Sequence, residues 1–126
     1  MTRRAAYRRG AWAETVAAWW LRLKGYRVVG RHVTARRGTG LGEIDIVVRR
    51  GGVLAFVEVK ARGDAGLAAA AISPTQRRRI ERAARGYVAN RPDLDGCVIR
   101  FDAVLVSPWR PPRHLADAWR TDSSGW

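Results

Sequence analysis

Three ionisable residues, Asp45, Glu58 and Lys60, interrupt two short apolar runs, Ile44-Asp45-Ile46-Val47-Val48 and Phe56-Val57-Glu58-Val59-Lys60. A buried strand would carry valine or isoleucine at such positions, because burying charge is costly unless it is paired or holds a metal. Gly51-Gly52 lies between the runs and suits a two-residue hairpin turn, since glycine takes positive φ at little steric cost. With that turn, cross-strand partners carry numbers adding to 103, as Arg50 and Val53 do, and Asp45 falls directly opposite Glu58. Opposed side chains share a face, with Cβ atoms roughly 4.5–5.5 Å apart. Lys60, two residues beyond Glu58, points the same way. Two bare carboxylates so close repel each other, and one takes up a proton unless a cation lies between them. Oxygen donors of this kind favour Mg²⁺ or Mn²⁺ over zinc.

The elements that must hold these groups are legible around them. Residues 10–24 read as a helix, with Trp12, Val16, Trp19, Trp20 and Leu23 on one broad apolar face and Gly25 as the C-cap. Glu14 lies at the edge of that face, open either to the sheet or to solvent. Residues 26–33 read as a strand and 34–41 as a basic, glycine-containing loop with Arg36 and Arg37. The hairpin strands are expected at 43–50 and 53–61. After a low-information connection, Ser73-Pro74-Thr75-Gln76 opens a second helix: an N-cap serine, proline at the first helical position and a glutamine placed for a capping box. This helix runs to about Asn90. Gln76, Ile80, Ala83 and Tyr87 share one face, and Arg78, Arg82 and Arg85 share the opposite one. Residues 97–106 read as a last strand, interrupted by Asp102. Residues 108–126 are expected to form an irregular tail with at most a short turn near 114–119. The whole, 1–126, is one α/β domain with a mixed sheet of four or five strands and a helix on either side.

Composition narrows the function. The chain has 126 residues, enough to bury a core in one domain. It carries 24 basic against 11 acidic residues, a net charge of +13, which predicts attraction to polyanions and above all to nucleic acid. No stretch approaches the ~20 apolar residues of a spanning helix, and the N-terminus makes a poor signal peptide. One cysteine, Cys97, excludes an intrachain disulfide and a multi-cysteine zinc site. A cytoplasmic location is the default expectation. All but two of the basic residues are arginine, the exceptions being Lys24 and Lys60. Where the chain habitually uses arginine, Lys60 supplies a compact amine whose pKa responds to its surroundings.

Asp45 followed by Glu58-Val59-Lys60 on the next strand resembles the core motif of the PD-(D/E)xK nuclease superfamily. The wider wording resembles the bacterial YraN family: Gly42-Glu43-Ile44-Asp45, Phe56-Val57-Glu58-Val59-Lys60, Ser73-Pro74 with its basic helix, and Arg100-Phe101-Asp102-Ala103-Val104. That family has a restriction-endonuclease-like fold predicted for it, and its relatives include archaeal Holliday junction resolvases. The likeness spans roughly residues 8–120. The chain departs from the family pattern in helix one, which reads Ala13-Glu14 where Gly-Glu is usual, and in a longer loop at 34–41.

The resemblance implies a Mg²⁺- or Mn²⁺-dependent endonuclease acting on nucleic acid, DNA first and branched or junction DNA by analogy. Asp45 and Glu58 would hold the ion, with the Val59 carbonyl as a further ligand. Lys60 would position or deprotonate the water, or neutralise charge on the phosphate. Glu14 is either a member of the metal site or a helix-surface glutamate. Gln76 either only caps its helix or contacts water or phosphate. Glu43 is either a ligand or a salt-bridge partner of Lys60. Arg78, Arg82 and Arg85, with Arg36 and Arg37, are the surface that would contact phosphates. Asp102 reads as a structural anchor, and His32 and His114 as bland. A homodimer is compatible with the resemblance. The rival is a non-catalytic nucleic-acid-binding module with a vestigial metal site, which charge and fold fit equally well.

Overall fold

The computed structural model describes residues 3–34, 44–61 and 72–121. Helix α1 (Arg3–Leu23) is followed by strands β1 (Arg27–Val33), β2 (Ile44–Arg50) and β3 (Val53–Ala61). Helix α2 (Pro74–Ala89), a 3-10 turn at Pro92–Leu94, and strands β4 (Val98–Val106) and β5 (Arg113–Trp119) complete the chain. The five strands lie in sequence order, antiparallel except for the parallel pair β3–β4, where α2 belongs to the crossover. The result is an α/β fold with a mixed sheet and one helix on each face, consistent with a restriction-endonuclease-like architecture.

The hairpin has the register that its turn requires: Arg50 pairs with Val53 and Ile46 with Val57. Of the two turn glycines only Gly51 takes positive φ, at +58°, the pattern of a type II′ turn. Alternation along β2, β3 and β4 divides the core in two. Val47, Leu54, Phe56, Phe101 and Ala103 pack against Ile80, Ala83, Ala84 and Tyr87 of α2. Ile46, Val48, Ala55, Val57, Val104 and Val106 pack against α1.

Helix α1 differs from the expectation in two respects. It begins at Arg3, well before residue 10. Its inner face is also not the tryptophan face: Ala13, Ala17, Ala18 and Leu21 meet the sheet, while Trp12, Trp19 and Leu23 are exposed. The physical reason is space, because alanines let the helix approach a two-sided sheet closely, whereas indoles there would hold it away. The end of the helix follows the expectation. Gly25 sits at φ +92°, its N–H donates to Arg22 O and Tyr26 N–H donates to Leu21 O, the two bonds of a Schellman cap.

The C-terminal stretch also departs from the expected irregular tail. Residues 113–119 form β5, paired with β4 from Phe101↔Trp119 to Leu105↔Arg113. Phe101 and Trp119 stack at 5.3 Å between centroids, so this strand contributes to the core and is not merely an edge ornament.

Candidate metal and nucleic-acid site

The β2–β3 ladder ends at Ile46↔Val57, one step short of the expected Asp45–Glu58 pair. Here a side chain takes over from the backbone. The Val59 N–H donates to Asp45 Oδ2 at 2.8 Å, in the place of a carbonyl from β2. β3 stays paired on its other side, Val59 with Val104 and Lys60 with Leu105. The strand is thus freed from one neighbour at the point where its charged residues begin.

Glu58 is only 7 % exposed. Its Oε1 accepts from Gln76 Nε2 at 3.0 Å and lies 3.5 Å from Lys60 Nζ. Burial, then the charge of Asp45, pushes its pKa up to about 8, although Lys60 pulls the other way. The cap of α2 explains how Gln76 arrives there. Ser73 Oγ accepts the Gln76 backbone N–H at 3.1 Å, as expected. The Gln76 side chain does not return to Ser73 to complete a capping box; it reaches across to Glu58. Glu14 comes from α1 on the other side of the sheet. Its pKa is raised by burial first and by Asp45 next, and lowered by His32 and Arg31. Glu14 therefore belongs to the same electrostatic cluster, with His32 Nε2 at 3.2 Å and Arg31 Nη2 at 3.8 Å from its Oε2.

Four elements therefore bring Glu14, Asp45, Glu58, Lys60 and Gln76 together. His32, read as bland in the sequence, joins them. It holds φ +52°, an uncommon conformation for a residue with a Cβ, and its ring faces Glu14. A cleft of about 490 Å³, bounded by Gly10, Ala11, Glu14, Thr15, Arg31 and His32, opens beside it. A larger cleft of about 700 Å³ runs along β4 and β5, lined by Leu94, Cys97, Phe101 and Trp119 among others, and includes none of the three site carboxylates. The smaller cleft touches the carboxylate cluster through Glu14 alone; Asp45 and Glu58 do not line it.

Among the described residues, no group of three or more His, Cys, Asp or Glu side chains forms a ready-made metal cage. The crowding of Asp45 against a buried Glu58 is what a divalent cation would relieve, so the donor set fits such an ion. The Val59 N–H is committed to Asp45, which fixes the strand segment whose carbonyl was the further ligand expected from the resemblance.

Arg78, Arg82 and Arg85 lie exposed on α2, on the side away from Ile80 and Tyr87, as the helical spacing requires. Arg36, Arg37 and Glu43 lie outside the described residues.

Asp102 is an anchor, and a more elaborate one than the sequence suggested. Fully buried, it accepts from Arg100 Nε and Nη2, both at 2.8 Å, and from the Asp117 N–H at 3.0 Å. His114 Nε2 lies 2.7 Å from it, and His114 Nδ1 lies 2.6 Å from Lys24 Nζ. Burial would raise the Asp102 pKa, but the bonds from His114, Arg100 and Asp117 outweigh it and lower the value. His114, also read as bland, is thus a buried strut tying β5 to β4. The only sequence signal for it was Asp102 itself, a carboxylate inside an apolar strand that had to find a partner.

The comparisons with known proteins agree with one another. The model of an uncharacterised protein family, UPF0102, matches residues 13–106. A UPF0102 protein of Paramagnetospirillum magneticum is 55 % identical over 118 residues, covering 94 % of this chain and 92 % of that protein. One of Parvibaculum lavamentivorans is 58 % identical over 116 residues, covering 92 % and 84 %. One of Caulobacter vibrioides is 49 % identical over 115 residues, covering 91 % and 89 %.

Proposed function

Because the chain belongs to UPF0102, the family to which the YraN resemblance pointed and one without a characterised activity, its function has to be argued from the site; we propose that it is a metal-dependent endonuclease hydrolysing phosphodiester bonds in nucleic acid, with DNA as the first substrate to test. One observation carries this reading. Asp45 and a buried Glu58, with Glu14 beside them, converge from separate elements within reach of Lys60 and Gln76.

When bound, Mg²⁺ or Mn²⁺ would polarise the scissile phosphate and lower the pKa of an attacking water. Asp45 and Glu58 would hold it, and Glu14, which interacts with Asp45, is the third carboxylate of the cluster. Asp45 also fixes the strand by accepting the Val59 N–H. Gln76 orients the Glu58 carboxyl through Oε1. Lys60 is half-buried and shares that oxygen, so its ammonium stands where it can neutralise charge growing on a phosphate or align a water. The exposed arginines of α2 supply phosphate contacts that position a duplex without reading its sequence.

Purified protein would be incubated with linear, flapped and four-way DNA in Mg²⁺, Mn²⁺ or EDTA, beside Asp45→Ala and Lys60→Ala. The expected result is metal-dependent cleavage reduced at least ~100-fold in each variant. Cleavage surviving both substitutions would refute the assignment. Salt-sensitive binding without cleavage in either metal would favour the rival, a non-catalytic binding module.

A further inference from the structure

Helix α1 is apolar on both sides. A helix of that kind belongs inside a protein or under a partner. Its inner side is closed by the sheet, through Ala13, Ala17, Ala18 and Leu21. Its outer side presents Trp12, 44 % exposed, Trp19, 60 % exposed, and Leu23, 78 % exposed, with the half-buried Val16 between them. These four residues advance by steps of four, three and four, the spacing of a coiled-coil seam. Thr15 and Arg22 border it, and the Arg22 guanidinium lies over the Trp19 ring at 5.4 Å.

We propose that this stripe is a self-association surface on which a second copy of the chain docks its own α1, antiparallel, about a twofold axis between Val16 and Trp19.

Charge selects this occupant. The molecule carries +13, yet from Gly10 to Leu23 the only charged residues are Glu14 and Arg22. It is a neutral surface on a strongly basic protein, where two like-charged copies can approach and where a polyanion gains little. An anionic membrane would be held by a fringe of lysine and arginine along the polar flanks of the apolar stripe, whereas the arginines of α1 other than Arg22 lie in its first two turns, ahead of the stripe. Orientation follows from the same sequence. Parallel helices would bring together the segments holding Arg3, Arg4, Arg8 and Arg9, whereas antiparallel helices keep them apart.

Geometry is consistent with that orientation. With the axis between Val16 and Trp19, Trp12 faces the partner's Leu23 and Val16 faces the partner's Trp19, so each indole meets a smaller aliphatic side chain. Size sets the expected strength. Three exposed apolar side chains from each copy would cover roughly 800 Å² in all, and their flanks bring the total near the ~1,000 Å² at which specific interfaces begin. The dimer should therefore be reversible and concentration-dependent. Its apolar seam must overcome general repulsion, so added salt should tighten it, the reverse of what salt does to phosphate contacts.

Sedimentation velocity from low micromolar to several hundred micromolar protein, at low and high salt, tests this without reference to cleavage. Wild type should move from 14.0 kDa toward twice that mass, more readily at high salt. Trp19→Glu should stay monomeric at every concentration, with an unchanged melting curve. Trp109→Glu, at a fully exposed tryptophan outside the stripe, should dimerise like wild type. Trp12→Lys and Leu23→Glu should each weaken association, and the two together should restore it at low salt, because only antiparallel pairing sets the new charges opposite each other. A wild type monomeric throughout, a Trp19→Glu protein that still dimerises, or a double variant no stronger than its singles would overturn the proposal. So would wild-type protein that remains monomeric but floats with phosphatidylserine vesicles through this stripe.

Discussion

Two buried carboxylates, Glu58 and Asp102, meet opposite surroundings. Asp102 has three neighbours that donate to it, and its pKa falls despite burial. Its stabilising effect is complete above the ordinary aspartate value and is lost as pH falls through the depressed folded one. Asp102→Asn would leave Arg100 and His114 without their anion, and breaking a buried pair in this way costs about 3–5 kcal/mol; chemical denaturation should register it as a loss of folding free energy. Glu58 works with the opposite sign. Its folded pKa is raised to about 8 from 4.5, so between those values the folded protein holds a proton that the unfolded chain has released. In EDTA, thermal stability should therefore decline as pH rises from about 4.5 to 8 and level off above. Glu58→Gln should flatten that decline, and a melting series that slopes equally in both proteins would contradict the assignment. That Asp45, Glu58 and Lys60 come close together was legible because the hairpin turn fixes a register by arithmetic. His32 and His114 were not: their partners, Glu14 and Asp102, come from other elements, and no local spacing announces such a pair.

At the scale of elements, periodicity located the helices and the hairpin but did not say which apolar face of α1 goes inward. The face carrying Trp12, Trp19 and Leu23 is the more hydrophobic, yet the sheet selected Ala13, Ala17 and Ala18. Residue size decided, since β2, β3 and β4 already fill the space beneath with Ile46, Val57 and Val104. Substitutions on the two faces should therefore behave oppositely. Ala17→Leu, which adds volume at a fully buried position, should destabilise by about 1–3 kcal/mol. Ala11→Leu, at an exposed position of the same helix, should stay within about 0.5 kcal/mol of wild type. Equilibrium urea unfolding of both variants distinguishes the observed orientation from the inverted one, which would instead make Ala17 tolerant. The same limit applied to β5. Its residues 113–119 mix charge with apolar side chains and follow a proline-containing stretch, so nothing local marks a strand. The stacking of Trp119 on Phe101 and the His114–Asp102 contact hold it against β4, and both are long-range.

For the molecule as a whole, the net charge of +13 is unevenly distributed. Outer α1 is apolar and nearly neutral from residue 10 to 23, whereas outer α2 carries Arg78, Arg79, Arg82 and Arg85, all exposed. Helix α2 also supplies Gln76 to the carboxylate site, from the face opposite its basic stripe. A duplex lying along this stripe would displace counterions, and each neutralised phosphate would steepen the fall of log affinity with log salt by about 0.9. Arg78→Ala, Arg82→Ala and Arg85→Ala, combined in one protein, should therefore weaken DNA binding at all sequences alike and reduce that slope by about 3. The substitutions lie on the side away from Ile80 and Tyr87, so folding should be preserved. Fluorescence anisotropy with a labelled duplex, in EDTA to prevent cutting and over a range of salt, measures the slope directly. An unchanged slope in the triple variant would move the phosphate contacts off α2 and onto some other part of the basic surface, and would separate the carboxylate site from the arginines that share its helix.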